Sequence, residues 1–339
     1  MNKLIRLATT GLALLVAGAA SAQNVEWTFN NNYAPGRVES GFIRDFAADV
    51  GQRSNGRFTI RVLEGGAMNL RDADALRWMQ QGKPEMGFIW SPFLGRDAPD
   101  LASIYVYGSV ANAEEHMKAL PAVKDILAEG MRKWQIEPVG FMGLQLLEAS
   151  LFCRTPVRSL DELKRVKLRV GTREQVDTFK ALGVAAQIVP QNELYAALQT
   201  GVVDCALYPI RIAHTVSLQE VAKHATPTGF PFPPTPYVIM ANKTAHAALS
   251  PENKKVLTDA AAALETKSFD FSKDAEEETA ARERVKGQGV TLHEPLAKAD
   301  QDTIRTAALK TWDAIMKEAG TTGTEYRSRI LQALGRAGQ

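Results

Sequence analysis

Two hydrophobic periods take turns along residues 25–90, and no other feature of the chain restricts its possible folds so strongly. Val25-Glu26-Trp27-Thr28-Phe29 alternates apolar with polar residues, the period of a half-buried strand. Pro35-Gly36 breaks that run. Phe42, Phe46 and Val50 then recur at helical spacing until Ser54-Asn55-Gly56 supplies turn chemistry. Arg57 to Val62 alternates again and closes at Gly65-Gly66; Asp72 to Gln81 has a helical pattern, and Glu85 to Trp90 that of a short strand. The order β-α-β-α-β predicts a mainly parallel sheet with helices on its faces, because parallel neighbours need crossovers of this length.

The rhythm restarts further along. Pro138 to Gly143 and Ser150 to Cys153 have strand patterns, and Ser159 to Leu163 begins a short helix. Val166-Lys167-Leu168-Arg169-Val170 is a strand with an apolar face and a basic one, and Thr172 with Gln175 has the form of a capping box. Val176, Phe179 and Leu182 mark the buried stripe of the helix that follows. Ile188-Val189-Pro190 leads into a second helix over Asn192 to Thr200, and Val202 to Leu207 is the next strand, stopped by Pro209. Two α/β units in tandem predict two lobes. Tyr237 to Met240 is one more apolar strand, and Ser250-Pro251 then opens a helix with no proline or glycine before Gly287. Read as one helix, that run spans about 54 Å and bridges both lobes. A break near Phe269 into two shorter helices is the alternative.

The first residues bear on compartment. Lys3 and Arg6 precede an uncharged, largely apolar stretch from Leu7 to Gly18, and Ala20-Ser21-Ala22 has the small-x-small form of a cleavage site. This is the pattern of a secretory signal over 1–22, with cleavage expected before Gln23; an uncleaved anchor is the alternative, for which the apolar run is short. Removing Lys3 and Arg6 leaves 38 basic residues against 38 acidic ones, so the expected mature chain is formally neutral and lacks the basic footprint of a nucleic-acid binder. In an oxidising compartment Cys153 and Cys205 form either one disulfide or two buried thiols; spacing alone does not decide.

Catalytic signals are missing. There is no phosphate-binding loop, no G-x-S-x-G and no H-E-x-x-H, and the five histidines are scattered, none three or four residues from another. No metal site or cofactor is expected. Arg169 is the residue with chemistry to offer. It sits near the end of a strand, opposite the core face and just before a helix N-terminus, where a guanidinium could hold a carboxylate by two parallel hydrogen bonds. The alternative is that Lys167 and Arg169 form the solvated face of an edge strand.

Asp161-Glu162-Leu163-Lys164 ahead of Leu168-Arg169-Val170, followed by Val189-Pro190 and by Tyr195-Ala196-Ala197-Leu198-Gln199-Thr200-Gly201-Val202-Val203-Asp204, resembles the solute-binding subunits of tripartite ATP-independent periplasmic (TRAP) transporters. The likeness extends over nearly the whole chain after the signal. It implies a two-lobed periplasmic solute-binding fold of the α/β class, with mixed sheets flanked by helices and a long helix spanning both lobes. In these terms 23–147 is the first part of lobe I, 148–235 the first part of lobe II, 236–275 a return to lobe I with the start of the long helix, and 276–339 C-terminal helices on lobe II.

By the same resemblance Arg169 is the carboxylate clamp, and Asn32, Gln191 and Phe232 belong to the ligand shell. The chain also departs from sialic-acid-type members. A second arginine of theirs falls on Ala149, a cleft carboxylate on Trp90, an asparagine on Tyr208 and a motif glycine on Cys205. The cleft is therefore expected to have one cation and two added rings, Trp90 and Tyr208, unless those rings are ordinary core. The implied function is that of an extracytoplasmic receptor. It captures a small organic acid, an aromatic or apolar monocarboxylate, and delivers it to a small and a large integral membrane subunit without a cofactor or a reaction. A periplasmic enzyme on the same scaffold, or a receptor for another carrier or a sensor, is the alternative.

Overall fold

The structure, a computed structural model, describes residues 24–336. The expected signal segment and its cleavage point lie outside the described residues.

Two sheets carry the chain. The first has the order β2-β1-β3-β10-β4, from β1 (Val25–Asn30), β2 (Phe58–Leu63), β3 (Met86–Trp90), β4 (Ile136–Met142) and β10 (Tyr237–Asn242). The second runs β11-β9-β5-β8-β6-β7, from β5 (Glu148–Cys153), β6 (Lys167–Val170), β7 (Ala185–Ile188), β8 (Cys205–Pro209), β9 (His224–Pro231) and β11 (Thr291–Leu292). β1 is parallel to β2 and β3, and β6 is parallel to β7 and β8. The two reversed strands are β10, antiparallel to β3 and β4, and β5, antiparallel to β8 and β9. Each is the first strand laid down after the chain crosses between lobes, through 143–147 into β5 and through 232–236 into β10. The two crossings lie side by side, joined by the Phe232 N–H donating to the Leu147 carbonyl at 2.8 Å.

The run after Ser250 is two helices, Pro251–Ser268 and Asp274–Gly287, so the single lobe-spanning helix expected there is corrected. Tertiary contacts at the junction explain the break. The Gly143 N–H donates to Ser268 Oγ at 2.8 Å, and the Leu146 N–H donates to Asp274 Oδ2 at 3.0 Å. Phe269 and Phe271 turn towards buried His116. The first helix packs on β4 and on helix Val38–Arg53; the second packs on the turn Ile210–Val216 of the other lobe. Helix Lys298–Glu318 touches both lobes. Its Trp312 and Met316 enter the lobe I core with Val123 and Ile126, while its body lies along helix Arg173–Ala181 of lobe II.

The last helix, Gly320–Ala333, also differs from expectation. It packs on lobe I, where Tyr326, Ile330 and Leu331 meet the apolar stripe of helix Ala113–Lys133 (Ala119, Val123, Ile126, Leu127). Cys153 and Cys205 stand directly opposite each other on β5 and β8 and form a disulfide, which decides the alternative left open by their spacing.

Candidate functional site: a cavity between the sheets

Because β5 and β10 alone are reversed, one edge of each sheet presents the carboxyl ends of all its other main strands, and these edges face each other. Side chains at such ends reach into the gap outside the sheet, the usual place for a ligand in α/β folds. Trp90 ends β3, Arg169 is next to last in β6, Tyr208 is next to last in β8, Phe232 follows β9 and Gln191 follows β7. All five line one cavity of about 50 Å³, together with Tyr33, Arg37 and Tyr237 from lobe I and Leu144 and Leu147 from the first crossing. That is room for a few water molecules, so the lobes are drawn together around it.

Arg169 is buried, at 4% exposure, in a strand flanked on both sides, not on a solvated edge. Its Nε donates to the Val189 carbonyl at 2.9 Å, which fixes the fork, and its guanidinium lies 5.8 Å from the Tyr208 ring centre. No carboxylate pairs with it among the described residues. Burial pushes its pKa down to about 10, so it stays cationic at neutral pH while lacking a counter-charge. The helix terminus beside it supplies less than expected: Thr172 Oγ1 takes the Gln175 N–H, and Gln175 Oε1 takes the Gly171 N–H.

A second cation lines the cavity, contrary to the expectation of one. Arg37 ends the loop after β1 and is buried in a two-pronged ion pair with Glu39, whose carboxylate also accepts the Tyr237 hydroxyl at 3.0 Å. Its guanidinium stacks 4.2 Å from the Tyr33 ring centre. Despite burial, Arg37 holds the Glu39 carboxyl below the usual range, so both groups stay ionised and cancel. The wall therefore carries one net positive charge, that of Arg169. Arg37 Nη1 also donates to Gln191 Oε1 at 3.3 Å, a contact from one lobe to the other. An Arg-x-Glu step at the start of a helix was the available sequence signal.

Asn32, expected in the ligand shell, does not line the cavity. Its amide donates to the Leu70 carbonyl at 2.8 Å and to Asp72 Oδ1 at 2.7 Å, so it is spent on anchoring the segment before helix Ala75–Gln80. Trp90 and Tyr208 are both buried and both on the cavity wall, with Phe93 edge-on to Trp90 at 5.2 Å. Ala149 is buried within the β5–β8 ladder, opposite Pro209.

Comparison with known proteins agrees with this architecture. Residues 29–319 match the model of the bacterial extracellular solute-binding protein family 7. A solute-binding protein of Albidiferax ferrireducens is 25% identical over 320 residues, covering 87% of this chain and 89% of the other. The ectoine-binding periplasmic protein TeaA of Halomonas elongata is 24% identical over 300 residues, covering 86% and 84%. Among solved structures, DctP7 of Bordetella pertussis, an extracytoplasmic solute receptor binding pyroglutamic acid, superposes with a TM-score of 0.82 at 20% identity, covering 92% of this chain and 99% of that one.

Proposed function

The chain belongs to the family 7 bacterial extracellular solute-binding proteins, a family of transport receptors and not of enzymes, and from that premise we propose that it takes up a small monocarboxylate through Arg169. It serves as the extracytoplasmic receptor of a TRAP transporter, in the periplasm, and passes its ligand to the small and large membrane subunits. Among the described residues no helix is long and apolar enough to cross a membrane.

One observation carries the ligand reading: Arg169 is a buried cation on the cavity wall with no carboxylate partner among the described residues. An unpaired buried charge is costly, and a ligand carboxylate removes that cost as the lobes close. A second carboxylate has no such partner, because Arg37 is already neutralised by Glu39. A sugar acid would set several hydroxyls against walls made largely of Trp90, Phe93, Leu144, Leu147 and Phe232. The chemistry of these walls favours an apolar or aromatic monocarboxylate, taken up as the lobes open.

Calorimetry on Arg169 variants tests this. Arg169→Ala is expected to lose at least about 3 kcal/mol of binding, more than a hundredfold in affinity, and Arg169→Lys to recover part of it, since an ammonium lacks the planar fork. Near-normal affinity for Arg169→Ala would refute the clamp. In a thermal-shift screen monocarboxylates should raise the melting temperature more than C4-dicarboxylates or sialic acid; a dicarboxylate ranking first would refute the ligand class.

A further inference from the structure

The cavity holds polar atoms that a carboxylate on Arg169 leaves unused. Trp90 Nε1–H is buried and donates to nothing among the described residues. Two other buried indoles are satisfied by carbonyls: Trp78 Nε1 donates to Arg71 at 3.1 Å and Trp312 Nε1 to Ser103 at 2.6 Å. Two buried tyrosine hydroxyls are likewise without a formed hydrogen bond among the described residues, that of Tyr105 beside His116, away from the cavity, and that of Tyr208. The Tyr237 hydroxyl donates to Glu39 and the Tyr107 hydroxyl to Thr228, whereas the buried Tyr208 hydroxyl lies near Arg37 without a well-formed hydrogen bond. The unsatisfied indole and this phenol are both on the wall of the Arg169 cavity.

An indole N–H can only donate, so whatever satisfies it presents an acceptor; a phenol can donate to the same acceptor. Charge restricts that acceptor further. The single net cation is matched by the carboxylate, and a second anion would be unmatched. An ammonium group would find Glu39 already held by Arg37 and Tyr237. We infer that Trp90 and Tyr208 read an uncharged oxygen, a carbonyl or hydroxyl, on the same molecule whose carboxylate meets Arg169. The ligand is then an oxo or hydroxy acid, neither a plain hydrocarbon acid nor an amino acid. This rests on the Arg169 reading and narrows it. A site built around a hydrogen bond rejects the analogue lacking that group, because its own buried donor is left unpaired.

The test uses matched acids, pyruvate against propanoate and phenylpyruvate against 3-phenylpropanoate, with the full mature chain in a calorimeter at pH 7.5. The readout is the affinity ratio within each pair. The unmodified protein is expected to favour the oxo acid by about tenfold or more. Trp90→Phe keeps a ring and removes the donor, and should bring the ratio to within about threefold; Tyr208→Phe should lower it by a smaller factor. Arg169→Lys should weaken both members of a pair alike and leave the ratio unchanged. Equal binding within both pairs by the unmodified protein overturns this inference and leaves the Arg169 reading standing. So does a ratio that survives both Trp90→Phe and Tyr208→Phe. Binding by none of the four acids overturns both readings. The comparison within the unmodified protein decides the matter even if a variant fails to fold.

Discussion

His116 is fully buried among Tyr105, Phe269 and Phe271, with no hydrogen bond at either ring nitrogen among the described residues, and burial lowers its pKa to about 4. Unfolded chains bind its proton near 6.5, so the folded state loses stability as pH falls from 6.5 towards 4. Glu174 acts in the opposite sense. Burial raises its carboxyl to about 7 against a Thr178 hydrogen bond, so stability is lost as pH rises from 4.5 to about 7. Melting curves should therefore show His116→Phe gaining most, relative to the unmodified protein, below pH 5, and Glu174→Gln gaining most above pH 7. Equal shifts across the range would contradict both. Legibility in the sequence varies at this scale. Arg169 stood out because a charge recurred in step with a strand's polar face, and Trp90 and Tyr208 because each took the place of a polar residue. Arg37 did not, since its role depends on Glu39 and Tyr237, one of them nearly two hundred residues away. Asn32 looked available until its hydrogen bonds to Leu70 and Asp72 were located.

Among the elements, β8 stands at the centre of lobe II. It is bound by the disulfide to β5 on one side and pairs through Cys205 and Ala206 with Leu168 and Arg169 of β6 on the other. The bridge closes a separation of 52 residues, a length for which chain entropy predicts about 4 kcal/mol of stabilisation. Cys153→Ala with Cys205→Ala should lower stability by roughly that amount in urea titrations; a change below about 1 kcal/mol would show that the strand ladder alone holds β6 in place. Alternating strands and stripe-bearing helices were readable from local pattern, because each hides one face. The break between Ser268 and Asp274 was not resolved by pattern, since its causes, Gly143 and Leu146, belong to a distant crossing. β7 and the docking of the last helix escaped for a related reason: exposure of Ala185, Gln187 and Ile188 erases the strand period, and a helical stripe does not say which lobe it will meet.

For the molecule as a whole, a ligand shut between two sheets cannot enter the closed form directly, so opening must precede binding. Small-angle scattering should record a smaller radius of gyration with a saturating bound acid than without it, and an unchanged profile with binding verified would contradict a two-lobed receptor that closes. Arg37 and Gln191 meet across the gap, and Gln191→Ala should shift the ligand-free protein towards the larger radius while weakening affinity a few-fold. The two crossings add a mechanical consequence. Leu144 and Leu147 on one and Phe232 on the other line the cavity, and the same segments, fastened by Phe232 N–H to Leu147, carry the chain from one lobe to the other. A guest touching these segments would press on the links between the lobes, so its bulk would bear on the angle at which the two sheets come to rest. A substitution at Leu144, Leu147 or Phe232 that makes room for a bigger guest would then alter the relative placement of the lobes as well as the fit.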